Sequence, residues 1–511
     1  MLRVTDPAFL APSAVVVALA LYKLYKAHST KLLALPPGPP SYPLIGQLLS
    51  MPLASEHTVF EKLGKEIGND VIALSMLGNT IVVLNSAQAA TDLLEKRSSI
   101  YSDRTIPPMV LDSNLMDWGK YPAILPYGDR WKEHRRMMHA WLQKNSVRSY
   151  RPSQEKQTRM LLVRLLTSSA HLQDELYRTV AATLLRTVYG YQLEVLNDPF
   201  VVGARTAIDN LARAATATNF LVNGFPALAH VPSWFPGTKW KQTARSYRQQ
   251  KDDIMNETFD WTKQQIARGS NEPSIVRALL ENDSKAGLSQ EDLEDYIKHI
   301  AIALFGAGSD TTVASLEVFV IAMIRHPEVQ AKAQAEIDRV VGTKRLPSFE
   351  DQTQLPYIDQ IIKEVMRWQP VTPLAVPHTS IQDDVYREYR IPKGSIVIGN
   401  VWAMSRNEIV YPDPETFNPD RFSDPAIPPV PAFGFGRRLC PGMYYADASI
   451  FIAVASILAT YKITPAKDAN GKDVLPSTEG VADSVVYHPK PFTCVFTPRS
   501  EAHRELILSS V

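Results

Sequence analysis

Cysteine is nearly absent, with Cys440 and Cys494 the only two in 511 residues. That excludes a disulfide framework, and it excludes a zinc site unless several histidines lie close by. The reducing cytosol is the natural compartment for such a chain. An excess of charge is absent too, since 54 Lys+Arg stand against 53 Asp+Glu, and a nucleic-acid role has no support. No repeat period and no low-complexity tract is visible. What is present is an apolar share of 45% with 21% charged residues, which excludes a disordered or many-pass membrane protein. The length allows a core large enough to bury a cofactor.

The N-terminus differs from the rest. Pro7 to Tyr22 carries no charge and is followed by Lys23, Lys26 and Lys31. As a helix this run is roughly 24 Å long against a hydrocarbon core of about 30 Å, so spanning recruits Tyr25 and snorkelling lysines. Ala18-Leu19-Ala20 suits a cleavage site, but a signal peptide carries its basic residues before the apolar run, and here they follow it. A retained single-pass anchor is therefore expected, with the lysines and the body behind them in the cytosol. The sequons at Asn256 and Asn282 then stay unmodified.

Leu35-Pro36-Pro37-Gly38-Pro39-Pro40 reads as a stiff strut, because proline fixes its own φ and restricts the residue before it. The expected organisation is an anchor over 1–30, a strut over 31–45 and one body over 46–511. Val71 to Leu77 and Thr80 to Leu84 read as a hairpin around Gly78-Asn79. Helical patterns dominate from there to about Ile463, with extended pieces around Val385 to Ile398 and Ser484 to Phe496. The predicted fold class is mainly α with a small β portion.

The most informative stretch is Phe433-Gly434-Phe435-Gly436-Arg437-Arg438-Leu439-Cys440-Pro441-Gly442, ahead of a helical run from Met443 to Tyr461. Pro441 suits a first helical turn, which sets Cys440 at the positive end of a helix dipole beside Arg437 and Arg438; all three depress a thiol pKa. The glycines let the loop approach a flat ligand, and Phe433 packs on the sulfur side. A lone cysteine is more often inert core, and Cys494, within Phe492 to Phe496, is read as that.

The ten-residue loop resembles the haem-binding loop of the cytochrome P-450 superfamily, whose fixed places are filled by Phe433, Gly436, Arg438, Cys440 and Gly442. The resemblance implies haem b, an axial thiolate from Cys440 on its iron, and Arg438 near a propionate. A long helix opens at Ser289 with Glu291 and Asp292 in its first turn and closes before Pro327. From Ile297 to Ile324 it is apolar on nearly every face but for Gly306-Ala307-Gly308-Ser309-Asp310-Thr311-Thr312. By itself that interruption is equally served by hydroxyls bonding back one turn and Asp310 in an ion pair. It is similar to the family's signature over the O2-binding face, which makes Asp310 and Thr311 a proton relay in an apolar pocket.

Glu364-Val365-Met366-Arg367 and Pro419-Asp420-Arg421-Phe422 are weak signals separately, since an exposed i, i+3 pair contributes little. In this order they resemble the family's buried network of Glu364, Arg367 and Arg421, which braces the cysteine loop. Trp131 and Arg135 reproduce its Trp-x-x-x-Arg pattern for propionates, with Lys132, His134 and Arg136 left as a basic face for an acidic electron donor. His378, where many relatives carry Arg, is expected at a propionate, with an ordinary satisfied histidine as the alternative.

The resemblance as a whole implies a monooxygenase of the endoplasmic reticulum membrane that inserts one atom of O2 into a lipophilic small molecule. No strand-linked glycine fingerprint for NAD or flavin occurs, so electrons come from a separate NADPH–cytochrome P-450 reductase, with cytochrome b5 as an optional second donor. Two rivals stay open: a haem-thiolate isomerase or dehydratase, and a haem gas sensor or carrier. The wording Pro373-Leu374-Ala375-Val376-Pro377-His378 is similar to fungal members acting on terpenoid, polyketide or xenobiotic molecules. Expected substrate-lining segments are Ile106 to Pro126, Ala204 to Pro232, Phe305 with its neighbours, Val371 to Val376, and Ser484 to His488.

Overall fold

A helix from Gln290 to Arg325 runs through the middle of the protein, about 54 Å at the usual rise per residue. Ser289 caps it, its Oγ accepting the Asp292 N–H at 3.1 Å, with Glu291 and Asp292 meeting the positive end of the dipole. Pro327 opens the next helix, Pro327–Val340, after His326 has left the helical conformation. The long helix and Met443–Thr460 are apolar and long enough to cross a membrane, but both are mostly buried inside the protein. Their composition answers a packing demand.

The structure, a computed structural model, describes residues 33–511 except 44–45, 48–49, 53, 77, 169–170, 196, 217–218, 283–286 and 482–484. The expected anchor over 1–30 lies outside the described residues. Against the long helix pack Leu172–Tyr189, Pro199–Ala215, Lys239–Ala267, Pro356–Trp368 and Met443–Thr460. Arg151–Ser168 closes the far side over Leu172–Tyr189 and Met443–Thr460. One apolar cluster runs through all of them, from Ile106 to Ile507.

The described strands are β1 (Val71–Met76), β2 (Asn79–Leu84), β3 (His378–Thr379), β4 (Asp384–Tyr386), β5 (Tyr389–Ile391), β6 (Ile396–Gly399), β7 (Tyr461–Lys467), β8 (Asp473–Val474) and β9 (Cys494–Pro498). They form a sheet of order β1-β2-β6-β3, the hairpin β4-β5, and a sheet of order β8-β7-β9. The mainly helical reading with small sheets stands. In the first hairpin Met76 pairs with Asn79, so the connection is residue 77 and Gly78, one place earlier than expected. Gly78, at φ +88°, takes the left-handed position and Asn79 joins the ladder.

The proline segment is not a free spacer. The Ala73 N–H donates to Pro37 O at 3.0 Å and the Arg390 N–H to Ala34 O at 2.8 Å, which ties the segment to β1 and to β5. Gly38 is required there, since a Cβ would meet Ala73 O at 2.0 Å.

Candidate functional site

The cysteine loop is held at both edges by backbone that leaves no room for side chains. Gly436, at φ +53°, lies so close to Leu94 that a Cβ would meet its carbonyl oxygen at 2.2 Å. Phe435 is 1% exposed and presses on Gly399, where a Cβ would meet the ring at 2.7 Å. Inside this clamp the Cys440 N–H donates to Phe433 O at 2.9 Å, closing the loop on itself.

The electrostatics of the sulfur differ from expectation. The helix starts at Met443 with Gly442 as its cap, so Pro441 precedes it. Arg437 reaches the Tyr127 hydroxyl at 2.7 Å, and Arg438 donates to Ser102 O and Leu125 O at 2.8 Å each, so neither is committed to the sulfur. Burial pushes the Cys440 thiol up, against the Gly442 N–H and Arg135, which pull it down. A thiolate here needs a further positive charge at the sulfur, which a metal ion supplies.

Trp131 and Arg135 stand on the helix Asp129–Leu142. Arg135 donates to Leu439 O at 2.9 Å, bracing the loop one residue before the cysteine. Arg438 lies over the Trp131 ring, 4.5 Å from its centre. His378, on β3, has Nδ1 2.6 Å from Tyr101 O; a carbonyl only accepts, so Nδ1 carries the proton. Burial, then Arg104 and Arg438, press its pKa down to about 3.

Arg104 had no motif to announce it. The Asp103–Thr379 bridge brings it beside β3, where its Nη1 donates to Val376 O and Pro377 O at 2.5 Å each. Burial, then Arg438, lowers Arg104 to about 9, and burial lowers Arg438 to about 10. Among the described residues, Arg104 Nε and Arg438 Nη1 are buried with no hydrogen-bond partner. A cationic surplus with two unpaired donors fits carboxylates, the groups haem presents at one edge.

On the long helix, the interruption is offset locally as well as by a distant partner. Thr311 Oγ1 donates to Ala307 O at 2.8 Å, and Asp310 Oδ1 is 2.9 Å from His488 Nε2. The glycines admit neighbouring helices: a Cβ on Gly306 would meet Ile208 Cδ1 at 2.3 Å. Ala307 is exposed in mid-helix, whereas Phe305, expected to line the cavity, is packed in the core. The Tyr487 N–H donates to Val371 O at 2.7 Å, joining two of the expected lining segments.

A cytochrome P450 family model matches residues 36–496. The chain belongs to the cytochrome P450 family. A P450 monooxygenase of Postia placenta is 42% identical over 93% of both chains, and one of Armillaria gallica is 39% identical over 97% of both. A solved zebrafish P450 with abiraterone matches at a TM-score of 0.71 and 26% identity, covering 87% of this chain and 100% of its own. The protein is a cytochrome P450 monooxygenase, and the family implies a haem cofactor.

In this P450, Glu364, Arg367 and Arg421 come together in the core. Arg367 donates to both Glu364 oxygens at 2.7 and 2.8 Å and to Ser405 O and Pro414 O, while Arg421 reaches Glu364 at 3.2 Å. The basic face beside Trp131 is narrower than expected. His134 is 0% exposed and burial lowers its pKa to about 3, while Lys132 pairs with Asp129 and Arg136 with Glu133. Cys494 is buried in β9, its thiol pushed up to about 12 by burial.

Proposed function

We propose that this P450 holds haem b on Cys440 and oxygenates a lipophilic small molecule of the terpenoid, polyketide or xenobiotic kind. Haem iron held by a thiolate binds and activates O2. The observation that carries the reading is the pairing, within one clamped loop, of Cys440 with Arg438, whose Nη1 is buried without a partner among the described residues. Arg104, Arg135, Trp131 and His378 surround that edge. Phe433, Gly436 and Gly442 give the loop its shape, and Glu364, Arg367 and Arg421 brace it from behind.

Asp310 and Thr311 hold the proton work. Thr311 spends its own hydrogen on Ala307 O, which leaves its oxygen free to accept, and Asp310 is the adjacent acid on the same turn. Electrons come from an NADPH–cytochrome P450 reductase, with cytochrome b5 as a second donor. Residues 1–30 anchor the chain in the endoplasmic reticulum membrane, 31–45 form the strut, and 46–511 form the cytosolic body. Similarity to fungal P450 monooxygenases supports that placement.

The experiment has two arms. Purified protein, reduced and exposed to carbon monoxide, is expected to show the red-shifted Soret band of thiolate-ligated haem, and a folded haem protein without it removes the Cys440 assignment. Feeding a lipophilic panel to cells carrying the chain and a reductase is expected to give oxygenated products that require O2. Turnover without O2 would instead point to an isomerase.

A further inference from the structure

His488 lies on the C-terminal segment and crosses the long helix between two of its carboxylates. Asp310 and Glu317 are seven residues apart, about two turns, and so stand on one helix face. Ring Nε2 is 2.9 Å from Asp310 Oδ1, and Nδ1 is 3.3 Å from Glu317 Oε2. An ionised carboxylate only accepts, so between two of them both ring nitrogens donate and the ring is an imidazolium.

Exposure is graded along this chain of contacts. The Glu317 side chain is 4% exposed, that of His488 18% and that of Asp310 29%. Among the described residues His488 is the only hydrogen-bond partner of Glu317. Around the triad stand Asp209 with Arg205 and Arg213 from Pro199–Ala215, Tyr121 and Tyr177 towards Asp310, and Tyr487 with Arg406 towards Glu317. Burial pulls the ring pKa down, but hydrogen bonds to Asp310 and Glu317 outweigh it and hold the pKa up at about 9.

We propose that His488 is the positioning residue that resupplies Asp310 with protons, with Glu317 as the counter-charge that keeps the ring cationic and oriented. The Nε2–H bond breaks as an Oδ1–H bond forms on Asp310, turning the ion pair into a neutral pair. The ring keeps its Nδ1–H on Glu317. Once Asp310 has passed its proton on, Nε2 takes another from water and the imidazolium is restored. This rests on the reading of Asp310 as a proton relay.

The test uses the holoenzyme with its reductase and NADPH, following O2 consumption and hydrogen peroxide release across the range in which the ring titrates. Wild type is expected to lose O2 consumption as pH rises through about 9. His488→Gln is expected to lack that alkaline limb and to release a larger share of O2 as peroxide, with its reduced carbon monoxide spectrum unchanged. His488→Lys, which keeps an ionisable donor, is expected to recover part of the coupling. Carbon-13 histidine NMR of Glu317→Gln supplies a readout independent of turnover, with the ring titrating at lower pH.

If His488→Gln superimposes on wild type while Asp310→Asn does not, the role of His488 is overturned and the Asp310 relay stands. If Asp310→Asn is itself without effect, the relay reading falls and the proposal falls with it. Should His488→Gln not fold, Glu317→Gln decides, since an alkaline limb that stays in place overturns the proposal.

Discussion

Arg367 and Glu364 face each other with neither side chain exposed, joined by contacts of 2.7 and 2.8 Å. Three further carbonyls, of Ser405, Pro414 and Thr416, accept from the same guanidinium. Removing one partner breaks a buried pair that Arg421 and these carbonyls compensate only in part, a loss on the order of 3–5 kcal/mol. Arg367→Ala and Glu364→Ala are therefore expected to yield little folded protein. Arg367→Lys should also lose most of it, because an ammonium cannot donate along the planar fork. Soluble yield and thermal unfolding check both.

Gly434 and Gly436 separate backbone strain from collision. Both have positive φ, but a Cβ on Gly434 comes no nearer than 4.0 Å to its neighbours, while one on Gly436 would meet Leu94 O at 2.2 Å. Gly434→Ala should cost about 1–2 kcal/mol, the left-handed penalty alone. Gly436→Ala should displace the loop. A reduced carbon monoxide spectrum is expected to survive the first change and to be lost in the second.

Arg104 and Arg438 each present a buried N–H without a partner among the described residues. A carboxylate taking such a donor gains a charge-assisted hydrogen bond of about 1.5–3 kcal/mol. Arg104→Met and Arg438→Met are expected to lose haem to excess apomyoglobin about tenfold faster or more. Equal rates of loss in variants and wild type would remove both residues from the haem edge.

The two cysteines differ in consequence. Cys440→Ser is expected to abolish the thiolate-type carbon monoxide spectrum. Cys494→Ala should keep it and unfold at a slightly lower temperature, because a 4% exposed residue of β9 leaves a small void. With its pKa near 12, Cys494 should also resist alkylation at neutral pH.

His488 makes stability depend on pH. Its folded-state pKa, about 9, lies above the ordinary 6.5. The contribution is therefore complete below pH 6.5 and lost as pH rises through 9. The difference corresponds to on the order of 3 kcal/mol. Denaturant unfolding of wild type and His488→Gln is expected to differ most below that window and to converge above it. A constant gap would show that the ring does not titrate as its contacts require.

Residues that act through near neighbours were readable from the chain alone. Ser289 and Pro327 bound the long helix because capping and proline geometry are local. The loop around Cys440 and the Glu364–Arg367 spacing were equally plain, since glycine conformations and i, i+3 placement need no distant partner. The membrane anchor proposed for residues 1–30 rests on composition alone and lies outside the described residues.

Tertiary structure decided the rest. Arg104 meets Pro377 across 273 positions and His488 meets Asp310 across 178, separations at which sequence carries no geometric signal. His134 looked like part of a basic face and is buried, while the hairpin turn moved by one residue to suit its ladder. The sulfur shows the limit most clearly: a helix terminus and two arginines argued for a low pKa, but burial pushes it up. Desolvation depends on everything packed around a group, and only the folded chain specifies that.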